Sequence, residues 1–200
     1  MGRYTGPKDR LSRREGFDLF NKGGKLTRLN VPPGQHGPKG TRRRVSQYGK
    51  QLREKQKVKR LYGVMEKQFR KYVEMALSSP GNSGEVLLSL LERRLDNVIF
   101  RLEFVPTRPG ARQLVTHRHV FVDGKKVNIP SYFVKPGEVI SLGSKAIEVP
   151  AVKKLLSVKE PNIPAWLSRK AAAGKVKRLP VREDITEAIS EQDIIEFYSR

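Results

Sequence analysis

The sequence predicts an α+β protein: a mainly helical chain carrying a compact module of two helices and a small antiparallel sheet, led by an extended basic N-terminal arm. Three observations predict it. Apolar residues recur at helical spacing in two stretches, first Met65, Phe69, Tyr72, Val73, Ala76 and Leu77, then Leu91, Leu95, Val98 and Leu102. Farther on the period falls to two, with Val120 and Val122 alternating about Phe121, and Asp123-Gly124 follows, the kind of dipeptide that takes positive φ with least strain. Ahead of both, residues 1–60 hold 18 Lys and Arg against 4 Asp and Glu, a net of +14 out of the formal +21.

Within residues 1–45 the apolar positions Leu11, Phe17, Leu19, Phe20, Leu26, Leu29 and Val31 stand isolated among Gly, Pro and bases, too few for a core. This arm is expected to be extended and to order on a partner. Val31 to Arg44 reads as a loop followed by a basic run. It is no phosphate-binding loop, because Lys39 precedes Gly40 where that motif needs Gly-Lys-Ser/Thr, and Pro38 removes an amide donor. From about Ser46 the pattern turns helical. Lys50 to Arg60 consists mostly of strong helix formers, and the next stripe runs up to Ser78-Ser79-Pro80-Gly81 with its aromatics on one face, as core.

In the module, the stripe from Leu91 to Leu102 predicts one helix with Arg94 and Arg101 outside the buried face. Thr107 stands where the N-cap of the next helix belongs and Pro109 falls in its first turn, so that helix runs to about Thr116. Its Arg108 and Arg112, four apart, share a face near the helix N-terminus, whose unpaired amides and dipole attract phosphate. A β-hairpin follows at Val120–Val122, Pro136-Gly137 makes another turn, and Val139–Leu142 is a short third strand. Beyond it Pro150, Pro161, Pro164 and Pro180 break the chain into short pieces, with a helical candidate at 151–156 and the single Trp166. Between Glu183 and Tyr198 stand six acids and no base. In so cationic a chain that segment is expected to avoid nucleic acid and to pack on the basic N-terminal helices or face a protein neighbour.

The composition narrows the function classes. A net charge of +21 and a pI near 10.5, with only 37% hydrophobic residues and a mean hydropathy of −0.56, point to a polyanionic partner. No run of eighteen apolar residues exists and MGRYTGPKDR has no apolar core, so neither a membrane span nor a signal sequence is expected and the protein reads as intracellular. The absence of cysteine removes disulfides, thiolate zinc clusters and cysteine nucleophiles. His117-x-His119 has no Cys or carboxylate beside it, so it is read as structural or as a nucleic-acid contact, with no metal. Asp96, close to Arg93 and Arg94, is read as half of a surface ion pair. No enzyme and no cofactor is expected.

Arg94-Leu95-Asp96-Asn97, Arg101, Thr107-Arg108, Ala111-Arg112-Gln113, Val115 and His117, closed by Val122-Asp123-Gly124, resemble the S-four RNA-binding domain. Related domains occur in S-four ribosomal proteins, some pseudouridine synthases and bacterial tyrosyl-tRNA synthetases. The family pattern has Gly between the two histidines where this chain has Arg118, which predicts a helix cap built differently, since positive φ strains a residue with a Cβ. Pro109-Gly110, at the helix start, is a second departure. Ser46-Gln47-Tyr48-Gly49, Gln51-Leu52, Glu54-Lys55-Gln56-Lys57, Tyr62-Gly63 and Gln68-Phe69 resemble the ribosomal S-four family and not the enzymes. Arg3 to Lys8, Pro32 to Gly37 and Ile195 to Arg200 fit it too, so the resemblance covers nearly the whole chain. It leaves no room for a synthase's catalytic domain.

The resemblance implies an arm at 1–45, a helical domain made of 46–90 and 157–200, and an S-four RNA-binding module inserted at 91–156. It implies a structural constituent of the small ribosomal subunit that binds 16S rRNA early and nucleates assembly. It further implies contact with the neighbouring protein S-five, an effect on translational accuracy, a place beside other small-subunit proteins where mRNA enters, and no membrane. Localisation is expected in the cytoplasmic ribosome, with a plastid ribosome left open. The alternative is an autogenous translational repressor or a free regulatory RNA-binding protein. The RNA-binding residues expected are Arg3, Lys8, Arg10, Arg13 and Arg14 with Arg42, Arg43 and Arg44 in the arm, and Lys50, Lys55 and Lys57 on the helix after it. In the module they are Arg94, Arg101, Arg108, Arg112, Gln113, His117 and Lys125.

Overall fold

The computed structural model describes residues 2–20, 22–23, 26, 28–38, 45–158 and 161–199. In chain order the helices among them are α1 (Lys8–Glu15), α2 (Gln47–Leu61), α3 (Glu66–Leu77), α4 (Ser83–Glu92), α5 (Leu95–Arg101), α6 (Arg108–Thr116), α7 (Ser144–Ile147), α8 (Pro150–Leu156) and α9 (Glu191–Tyr198). The strands are β1 (Val120–Val122), β2 (Lys125–Val127), β3 (Val139–Leu142), β4 (Leu167–Lys170) and β5 (Ala173–Val176). The chain divides into two compact units, Met1–Gly84 with Ala188–Arg200, and Glu85–Glu187.

In the first unit the arm is not extended throughout. Lys8–Glu15 is helical, and Gly16 at φ 63° ends it with its amide donating to the Ser12 carbonyl. The Glu15 carboxylate, 1% exposed, receives Arg53 Nη1 at 3.2 Å and Arg60 Nη1, both from α2. Burial pushes the Glu15 carboxyl up, against the pull of Arg53 and Arg60. Two of the sparse apolar residues, Leu19 and Leu26, are buried, and Asp18 accepts from the Phe20 and Gly23 amides. The arm thus has local order, drawn from the Gly16 cap, from burial of Leu19 and Leu26, and from the Glu15 carboxylate held by α2. Ser46 caps α2 by accepting from the Gly49 amide at 3.2 Å. Val58, Leu61, Phe69, Tyr72, Val73 and Ala76 are buried, which places the aromatics of α3 in the core as the spacing predicts.

The acidic C-terminal segment returns to this unit. Helix α9 packs on α2, where Gln51 Nε2 donates to Glu196 at 2.6 Å and the Ser190 amide donates to Glu54 at 3.0 Å. Lys55 Nζ lies 4.4 Å from the Phe197 ring centroid and donates to Glu66 Oε1 at 2.8 Å, which also accepts from the Tyr198 hydroxyl at 2.7 Å. Burial would raise the Glu66 carboxyl, but bonds from Lys55, Lys59 and Tyr198 hold it down at about 2.

The second unit is built on a five-stranded antiparallel sheet of order β2-β1-β3-β5-β4. Asp123 and Gly124 take φ 47° and 76° in the hairpin turn, and Gly137 takes φ 94° after Pro136, as their residue types predict. The sheet exceeds the expected three strands because β4 and β5 extend it beyond β3. This corrects the division at 157–200: the stretch up to Glu187 belongs with the module, and only Ala188–Arg200 goes back. Val120, Val122, Ile140, Leu142, Leu167 and Val176 turn one face of the sheet into a core shared with Leu95, Val98, Ile99, Leu102, Phe104, Leu114, Val115 and the fully buried Trp166.

The helix expected through Leu91–Leu102 is broken. Arg94 is extended, at φ −63° and ψ 134°, and forms an isolated antiparallel bridge with Phe133. The Leu95 and Asp96 amides donate to the Tyr132 and Pro130 carbonyls at 2.8 and 3.2 Å, and the Val134 amide to the Arg93 carbonyl at 3.0 Å. Apolar periodicity runs straight through this break, since a one-residue bridge followed by a fresh helix start keeps Leu91 and Leu95 both buried.

Candidate nucleic-acid interface

Among the described residues, the cationic side chains expected to meet RNA fall into two physical classes, those exposed and those held by carboxylates or backbone carbonyls. In the second unit the held class forms one network. Arg94, 2% exposed, donates from Nε and Nη2 to Asp96 at 3.0 and 2.6 Å, and Arg112 Nη1 lies 3.7 Å from the same carboxylate. Arg101 donates to Glu92 from Nε and Nη2 at 2.9 and 2.7 Å and to Glu187 at 2.7 Å. Arg108 donates to Asn97 Oδ1 at 2.9 Å and to Glu187 at 2.7 Å, with its guanidinium 4.5 Å from the Phe100 centroid. Asn97 Nδ2 ties back to Glu92 at 2.8 Å. Burial would raise the Glu187 carboxyl, yet Arg101 and Arg108 outweigh it and hold it down at about 2.

The placement of Arg94 and Arg101 outside the apolar face is therefore corrected. The ion pair at Asp96 exists, but it is buried and not on the surface. Arg108 and Arg112 do share one side of α6, as their spacing predicts, yet their side chains are only 10% and 15% exposed. They cannot be removed without leaving Glu187 and Asp96 partly uncompensated, contrary to the reading of that face as free for phosphate.

The exposed class lies at the other end of α6 and along the hairpin. Thr107 accepts from the Gly110 amide at 3.2 Å, so the helix begins at Arg108 despite Pro109-Gly110. It ends at His117, where the Arg118 amide donates to Val115 and the His119 amide to Leu114, the paired bonds of a glycine-type cap. Arg118 itself takes φ 63° to make them, so the cap is built as in the family pattern, with a cation in the glycine position. Gln113, His117 and Arg118 are exposed there, as are Lys125 and Lys126 in β2. Sequence reasoning singled out Arg118 as a departure from Gly at the helix end but did not count it among the RNA contacts, although its exposure beside Gln113 and His117 places a cation there. Arg118→Gly is expected to raise stability by up to about 1 kcal/mol by relieving the left-handed strain. It should also weaken RNA binding. Denaturant midpoints and titrations of a structured rRNA fragment, run side by side, check both, and undiminished affinity would show that the cation is idle.

In the first unit Arg3, Lys8, Arg10, Arg14 and Lys50 are exposed, with Arg10 and Arg14 one turn apart on α1. Arg13 instead donates to the Val31 and Pro32 carbonyls at 2.9 and 3.1 Å. Lys55 is buried against Glu66 and the aromatics of α9, and Lys57 donates to Glu54 at 3.1 Å and to the Ala188 carbonyl. Exposed Lys67 and Lys71, four apart on α3, are cations the sequence reading did not select. Arg42, Arg43 and Arg44 lie outside the described residues. Among the described residues no group of three or more His, Asp or Glu is placed to hold a metal, and no helix is long and apolar enough to cross a membrane.

Comparison with known proteins bears on this arrangement. The family pattern described as Ribosomal protein S4/S9 N-terminal domain matches residues 3–92, and that described as S4 domain matches residues 93–140. Over its whole length the chain is 49% identical to small ribosomal subunit protein uS4A of Symbiobacterium thermophilum across 209 aligned residues, covering all of both chains. It is 50% identical to uS4 of Parabacteroides distasonis across 202 residues and 52% identical to uS4 of Citrifermentans bemidjiense across 210, again end to end.

Proposed function

This chain belongs to the uS4 family of small ribosomal subunit proteins, and we propose that within the subunit it is a primary 16S rRNA binder that nucleates assembly. As a family member it is a structural constituent of the small subunit and not an enzyme. The observation that carries the finer reading is the separation of its bases into a held class and an exposed class. Arg94, Arg101, Arg108 and Arg112 fix the shape of the module. Arg3, Lys8, Arg10, Arg14, Lys50, Gln113, His117, Arg118 and Lys125 are exposed and meet RNA. Contact with protein S-five, an effect on accuracy and a position where mRNA enters belong to the same reading, as does a cytoplasmic ribosome.

Two measurements test it. Tagged full-length protein expressed in cells should travel with the small subunit on a sucrose gradient, and remaining at the top would end the reading. Purified protein should also bind naked 16S rRNA with no other protein present. Binding that needs earlier proteins on the RNA would leave a subunit constituent but not a primary binder.

A further inference from the structure

We propose that the outer face of the five-stranded sheet is a second nucleic-acid surface, one that takes a short single-stranded RNA segment. It rests on the reading above that the protein binds RNA, and assigns to one surface a particular form of it. Strand register places Lys126 beside Phe121, Phe121 beside Ser141, Ser141 beside Ala173 and Ala173 beside Lys170. Their neighbours Val120, Val122, Ile140 and Val176 turn into the core, so this row looks outward. With strands about 4.8 Å apart, its four gaps span roughly 19 Å. The next row sets Lys175 beside Val139, which is 39% exposed. Lys177 follows two residues later, its amide still donating to the Trp166 carbonyl at 2.8 Å, so the alternation continues.

The face therefore carries four exposed lysines, Lys126, Lys170, Lys175 and Lys177, around a partly exposed ring. Lys126 Nζ lies 5.6 Å from the Phe121 centroid. The ring is backed by Gly143, where an added Cβ would come 3.1 Å from it, so glycine lets the chain support one side of the ring. The carboxylates bordering these strands are engaged: Asp123 accepts from the Val139 amide at 2.8 Å, and Glu138 accepts from the Tyr132 hydroxyl at 2.7 Å and the Lys135 amide at 2.9 Å. Cations at both edges of a flat surface with an aromatic ring between them suit an unstacked base on the ring and phosphates on the lysines. A duplex would offer no free base to Phe121. The helices α5 and α6 contribute to the core on the opposite side of the sheet, so this surface is distinct from the exposed end of α6.

The test uses full-length protein, a short labelled oligouridine and a structured small-subunit rRNA fragment. Replacing the four lysines together (Lys126→Gln, Lys170→Gln, Lys175→Gln, Lys177→Gln) should weaken oligouridine binding at least tenfold. It should also flatten the salt dependence by about 3 in log–log slope, at roughly 0.7 per phosphate contact on a single strand. Affinity for the structured fragment should stay within about twofold and thermal melting should be unchanged, because the side chains are exposed. Photocrosslinking should attach oligouridine to the peptide holding Phe121. Phe121→Leu should lose roughly tenfold in affinity and Phe121→Tyr should retain it. The proposal is overturned if wild type ignores oligouridine, if the lysine variant binds it normally, or if that variant loses only a neighbouring acidic protein. Wild type that binds oligouridine but not the structured fragment would instead refute the primary-binder reading and leave this one standing.

Discussion

Replacing Arg94 by alanine is expected to destabilise the second unit by about 3–5 kcal/mol, the range for breaking a buried ion pair from one side. Arg94 is 2% exposed and grips Asp96 through two hydrogen bonds at the point where α4 ends and α5 starts. Without it the buried Asp96 carboxylate is left facing Arg112, 3.7 Å away. In a chain of this size such a loss lowers the melting temperature by roughly 10 °C. A double substitution, Arg94→Met with Asp96→Leu, removes both charges and should recover most of the loss, because a well-packed apolar pair does not require compensation. Chemical denaturation of the three proteins decides the matter. A loss below about 1 kcal/mol in Arg94→Ala would mean that the backbone bridge to Phe133 holds the break unaided.

This residue also shows where the sequence stops being legible. The cap at Thr107, the Asp123-Gly124 turn and the cap of α2 at Ser46 are chemistry contained within four residues, and each is found where its residues predict it. The break at Arg94 is not contained there. It is imposed by carbonyls at Pro130 and Tyr132, some 35 residues on, while the apolar spacing continues across it undisturbed. The burial of Arg101 and Arg108 depends on Glu187, separated from them by 86 and 79 residues. An arginine beside an apolar stripe gives no sign of such a partner.

Two of the missed pieces of secondary structure, the β4–β5 hairpin and α1, failed for different reasons. Strands β4 and β5 turn through Ala171-Ala172, with Ala171 at φ 50°, so the glycine or asparagine that announces a hairpin is absent. Helix α1 did carry local signals: Asp9 in its first turn, Arg13 and Arg14 in its last, and Gly16 just after. A count of apolar residues outweighed them, and that count did not register that Glu15 would be buried between Arg53 and Arg60. The C-terminal acids were legible because their composition stands out against the chain: of the six acids from Glu183 to Tyr198, Asp184 pairs with Arg178 and Glu187 with Arg101 and Arg108, while α9 packs on α2, where Glu196 accepts from Gln51.

The largest expected effect is on RNA affinity and follows from the same division of charges. If six to ten phosphates are contacted, affinity for a structured rRNA fragment should fall by about 10³–10⁵ between low and moderate salt. The slope should belong to the exposed class. Changing Arg10, Arg14, Lys50 and Lys125 to glutamine removes four exposed cations, and should flatten the log–log salt slope by about 3–4 while leaving stability within about 0.5 kcal/mol per site. Changing Arg101 and Arg108 to glutamine should do the reverse. Those guanidiniums are bonded to Glu92, Glu187 and Asn97, so their loss lowers the melting temperature and weakens binding through the shape of the module, with the salt slope of the folded protein retained. Salt titrations of both variants under folding conditions separate the classes, because counterion release counts only cations that reach phosphate. A flattened slope in Arg101→Gln/Arg108→Gln would show that these arginines leave their carboxylates for RNA, and that the network describes the free protein alone.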